Sequence, residues 1–147
     1  LALACLAAAI VPAQMALAQT HLHDSIEALD ANTCGPARAD AHAAIDAIDT
    51  GARPYEVLAM CAARAGEPAV AIAWAEAAVS HDPQSWEPRY ALALARGSAG
   101  RDPRRQIALA RKANPQRPLL AEAADAFRDG RAGRRQATAR SLPFALE

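Results

Sequence analysis

The stretch PYEVLAMCAARAGEPAVAIAWAEAAVSHDP, residues 54–83, decides how this chain folds. Its apolar residues recur at helical spacing: Tyr55, Leu58, Ala59 and Ala62 form one stripe, and Ala71, Ala75 and Ala78 form another. Between the stripes, Gly66 can adopt the positive φ that ends a helix, and Pro68 suits a first helical turn, where its missing N–H has no partner to lose. Asp82-Pro83 stops the second helix. The stretch therefore predicts two antiparallel helices whose small facing side chains let their axes approach closely.

Working outward, the same pattern returns at a fixed interval. Asn32, Gly66 and Gly100 are 34 residues apart, as are Leu58 and Leu92, Ala59 and Ala93, and Ala44 and Ala78. One hairpin cannot bury its apolar stripe alone, so about three are needed, and the residues after Gln19 have room for about three. Composition agrees: 52% of the 147 residues are hydrophobic but only 4% are aromatic, and the alanine-leucine bias favours helices over strands. The expectation is an all-α fold, a short solenoid of hairpins over residues 20–130, behind an apolar helix at 1–19.

These residues resemble the tetratricopeptide repeat. Tyr55, Leu58, Ala59, Ala71, Ala78 and Pro83 match six signature positions of that motif, whereas Ala62 and Ala75 stand where larger side chains are usual. The next unit carries Trp86, Leu92, Ala93, Gly100 and the Asn114-Pro115 stop, with a second helix two residues short. The resemblance implies a right-handed stack with a concave groove lined by first helices, where Arg53, Glu56 and Met60 of one unit and Glu87, Tyr90 and Leu94 of the next would face an extended peptide. The order of features also resembles the extracytoplasmic tail of bacterial O-antigen ligase and polymerase family proteins. That similarity is carried by the apolar segment ending near Ala18, the Cys34 helix start, the PYEVLAMCAARAG run from Pro54 to Gly66, the run from Asp82 to Gly97, the Gly100-Arg101-Asp102-Pro103 turn and the Ala113-Asn114-Pro115 stop. It implies a non-catalytic appendage of a glycan-transferring membrane protein.

The two ends read differently. Leu1 to Gln19 holds no charged residue and reads as a transmembrane helix, as a signal segment ending at the small-x-small site Ala16-Leu17-Ala18, or as a buried soluble helix. No lysine or arginine occurs between Gln19 and Arg38, which favours a domain outside the cytoplasm, either attached to a membrane or exported. Residues 131–147 read as a basic, mobile tail. Net charge is zero but unevenly spread, with eleven acids against three bases from Thr20 to Pro88 and thirteen bases against five acids from Arg89 to Glu147.

Catalytic patterns are not found. His21, His23 and Asp24 are the one metal-like cluster, but residues i and i+2 of a helix point to different faces. His42 and His81 have no nucleophile motif beside them, and the glycines form no phosphate-binding loop. Cys34 and Cys61 read either as separate small core residues or as a disulfide between stacked elements. The sequence thus predicts a non-enzyme, an interaction or scaffold domain whose partner is a protein or peptide in the groove or the membrane body of the same protein. No cofactor, metal or nucleic acid is expected.

Overall fold

The computed structural model describes residues 2–49 and 51–144, with side chains from residue 11 onward. Among the described residues the chain is all-helical: α1 (Ala2–Asp30), α2 (Cys34–Ala47), α3 (Arg53–Arg64), α4 (Pro68–His81), α5 (Glu87–Ser98), α6 (Arg104–Ala113), α7 (Pro118–Ala126) and α8 (Ala132–Ser141). Helices α1/α2, α3/α4 and α5/α6 form three successive hairpins, an arrangement compatible with a helical repeat fold.

The 34-residue interval has a direct physical cause in the turns. Asn32, Gly66 and Gly100 are the described residues with positive φ, at 59°, 76° and 70°. Each closes its first helix with the same pair of backbone bonds. Asn32 N–H donates to Leu29 at 3.0 Å and Thr33 N–H to Ala28 at 2.8 Å; Gly66 and Glu67 repeat this to Ala63 and Ala62, and Gly100 and Arg101 to Gly97 and Arg96. This satisfies carbonyls that a helix end would otherwise leave open. Asparagine tolerates the left-handed region better than other residues with a Cβ, which is why it can stand in the first turn.

Helix starts follow the same spacing. Helix α4 begins 34 residues after α2, and α5 begins 34 after α3, whereas α6 is the short member of its class. Facing alanines fill the seams: Ala37, Ala41, Ala71, Ala75, Ala78 and Ala110 are fully buried. Larger side chains then bridge hairpins. Leu58 and Val57 of α3 pack with Leu29 of α1 and Ala41 of α2, while Leu92 of α5 packs with Ala59 and Ile72 of the preceding hairpin.

The two ends bear on the sequence reading in different ways. No helix among the described residues is long and apolar enough to cross a membrane. The membrane-spanning reading of residues 1–19 draws no support from this, and about half of that segment lies outside the residues whose side chains are described. Leu1 and the side chains of residues 2–10 lie outside the described residues. Helix α1 runs without a break past Gln19, and the part that pairs with α2 is its second half, since Val11 to Leu17 are exposed and burial begins at Ala18. Gln19 stands 34 residues before Arg53, the start of α3, so the residues before it extend beyond the repeat unit.

The expected mobile tail is instead a helix across residues 132–141, packed on α5. Its arginines are mostly solvated, but Ala139 and Leu142 are buried in the same cluster as Tyr90, Leu94 and Phe127. The sequence reading weighed the arginines and overlooked this sparse apolar face. Residues 145–147 of that tail lie outside the described residues.

Candidate functional site

The candidate site is the face formed by the first helices α3 and α5. Glu56 and Met60 of α3 and Tyr90 and Leu94 of α5 lie there and are 2%, 5%, 1% and 2% exposed, too buried to be freely available contacts. Arg53 and Glu87 are half-buried, and Glu87 accepts a hydrogen bond from the Ser85 hydroxyl.

On the α5 side the cover is the chain's own carboxy-terminal part. Helix α8 reaches α5 because Gly97 lacks a side chain; a Cβ there would lie 3.0 Å from the Ala139 Cβ and 3.0 Å from the Phe127 ring. At Leu142 the backbone leaves the helix for an extended conformation, φ −77° and ψ 138°, as the residue before a proline prefers. Tyr90 then donates its hydroxyl hydrogen to the Pro143 carbonyl at 2.8 Å. Leu142 joins the Tyr90–Leu94 cluster, and Phe144 packs against both that cluster and the one holding Met60 and Leu58. Residues 142–144 thus cross from α5 to α3. A cavity of about 470 Å³ remains beside them, walled by Asn32, Met60, Arg64, Leu94 and Ser98.

Two groups on this face are electrostatically distinctive. Burial pushes the Glu56 carboxyl up to about 8; Arg53 opposes the shift, and Glu87 and Asp82 add to it. Burial, with a smaller contribution from Glu122, raises the Tyr90 phenol well above its ordinary range, so its hydroxyl stays a donor. Outside the groove, Asp102 is lowered to about 2 by hydrogen bonds from Arg104.

Cys34 and Cys61 are paired as a disulfide with Cα atoms 5.4 Å apart. The bond joins the start of α2 to the third turn of α3, fastening the first hairpin to the second. The histidine cluster is rearranged. His21 and Asp24, one helical turn apart on α1, converge with Asp40 of α2 so that their ligand atoms lie within 4.8 Å of one another, and His23 is not part of the group. His21 Nδ1 and Asp40 lie within hydrogen-bond distance at 3.1 Å, and both are partly exposed. Asp40 was invisible as a partner because only the α1/α2 hairpin brings it near.

Sequence reasoning also missed Gly97, Leu142, Pro143 and Phe144. The signal for the last three was present in Ser141-Leu-Pro-Phe144, where an apolar triplet with a proline follows a run of arginines. No family model matches the chain, and neither the curated proteins nor the solved structures give a significant match. The class defined by fold and face is therefore an all-helical, repeat-like domain with a groove across its first helices.

Proposed function

We propose that this chain is a non-catalytic interaction domain of tetratricopeptide-like hairpins that holds an extended polypeptide in its groove and works outside the cytoplasm. The observation that carries this reading is the seating of residues 142–144 across α5 and α3, with a main-chain carbonyl taken by Tyr90 and apolar side chains taken by the groove wall. A Cys34–Cys61 disulfide fits an oxidising compartment. As an appendage of an O-antigen ligase-like glycan-transferring membrane protein, the domain would present its groove to that protein's body or to an envelope partner.

A second reading, a freestanding exported repeat protein with residues 1–18 as its signal segment, is favoured by one observation. The repeat register begins at Gln19, directly after Ala16-Leu17-Ala18, and Val11, Met15 and Leu17 are about half exposed.

Cross-linking of the chain in envelope extracts tests the shared proposal. One defined protein should be retained, and Ser98→Arg, placed on the open part of the groove, should abolish retention while the helical circular dichroism stays unchanged. Equal retention by that variant would show that the groove is not the contact, and turnover of a lipid-linked glycan by the chain alone would refute the non-enzyme reading.

A further inference from the structure

Residues 142–144 are seated as a bound peptide would be. The backbone turns extended at Leu142, the Pro143 carbonyl accepts a hydrogen bond from the Tyr90 hydroxyl, and buried Leu142 and partly buried Phe144 flank an exposed proline. A carbonyl contact reads backbone geometry rather than side-chain identity, while Leu142 and Phe144 supply the specificity. Proline at the middle position has no N–H to leave unpaired and holds the extended form at low entropic cost.

The fit is also incomplete. Phe144 remains partly exposed, and the cavity of about 470 Å³ continues past it toward Asn32, Arg64 and Ser98. Close packing normally fills such space. The segment takes no part in the seam between the second and third hairpins, built from Ala59, Ile72 and Leu92, and at the seam of Leu29 and Leu58 its Phe144 packs on the cluster as a partly exposed side chain. Lifting it away therefore leaves the α3–α4–α5 seam closed.

We infer that the groove between α3 and α5 is a receptor for an extended Leu-Pro-aromatic segment of another protein chain, and that residues 142–144 are an internal stand-in which this segment displaces. The inference rests on the interaction-domain reading and names the chemistry of its partner. An occupied groove lowers apparent affinity by the fraction of molecules whose segment is lifted, so weakening the stand-in strengthens binding in trans.

The probe is a labelled synthetic peptide with the sequence of residues 138–147, titrated into the full chain and followed by fluorescence anisotropy. Phe144→Ala in the protein should tighten binding about tenfold or more over the unaltered chain. Adding Tyr90→Phe to that variant should weaken binding several-fold, because the carbonyl loses its donor, and a peptide with Pro143→Gly should also bind more weakly. Phe144→Ser serves as a second variant, and helical circular dichroism confirms that each one folds. Equal affinity for altered and unaltered chains, or no binding to a folded Phe144 variant, would overturn the inference. Concentration-dependent dimers of the unaltered chain that vanish with Phe144→Ala would overturn it too, by assigning the groove to a second copy. Peptide binding without any retained envelope protein would sink the interaction role and leave the groove chemistry standing; retention of an envelope protein without peptide binding would do the reverse.

Discussion

The two ends of this molecule invert what their compositions suggest. The amino-terminal half of α1 is apolar and uncharged, yet Val11, Met15 and Leu17 are about half exposed. Helix α8 carries four arginines counting its cap at Arg131 and extending to Arg140, among few apolar residues, yet Ala139 and Leu142 are buried and Phe144 reaches two clusters. The difference shows that apolar content does not decide burial in a hairpin stack. A segment is buried where a complementary stripe is open to it. The stack offers such a stripe on the α5 face, where Gly97 leaves room, whereas Met15 meets the stack at a cavity lined with Ala44, Ile48 and Pro54.

That comparison breaks most sharply at the core between the ends. Leu58 is 1% exposed in the seam between the first two hairpins, so Leu58→Asp should cost about 4 kcal/mol or more and abolish cooperative melting. Met15→Asp, a comparable insult to an apolar side chain, should leave the thermal transition within about 0.5 kcal/mol of the unaltered chain. A Met15 variant that unfolds would show that the first half of α1 has a partner on the stack after all.

At the other end, Leu142→Ala should lower stability by about 2 kcal/mol in urea titration, because a buried leucine leaves a void beside Tyr90 and Leu94. Val11→Ala should change it by no more than a few tenths. Equal effects at the two positions would erase the contrast between the ends.

The groove wall gives an effect that depends on pH. Glu56 is raised from 4.5 to about 8 in the folded chain, so between those values the folded state binds more protons than the unfolded state. Stability therefore falls as pH rises through that window, by at most about 1.4 kcal/mol per pH unit. Glu56→Gln should flatten the slope and make the variant the more stable form at pH 8. An unchanged slope across pH 5–8 would place the carboxylate in a wetter setting than its 2% exposure implies.

How far the sequence could be read follows from the range of the interactions involved. Hairpin turns are local, so Asn32, Gly66 and Gly100 were legible as helix ends, and their shared positive φ is set by residues within one turn of each. The seam positions Leu58, Ala71 and Ala78 were legible because a fixed period fixes which faces meet. The approach of Cys34 to Cys61 was legible as one of two alternatives, since stacking brings those helices together but does not orient their side chains. The reach of α8 was not, because it depends on an opening made by Gly97, more than thirty residues earlier in the chain.

By itself, the sequence determined the helical class, the 34-residue unit and the turn residues, all of which follow from spacing and local backbone preference. Only the tertiary structure decided that Asp40 joins His21 and Asp24, that Glu56 is buried beside Glu87 and Asp82, and that residues 142–144 fill part of the groove. Each of those outcomes sums contacts between segments far apart in the chain, and no local periodicity encodes which of several exposed stripes a distant segment will cover.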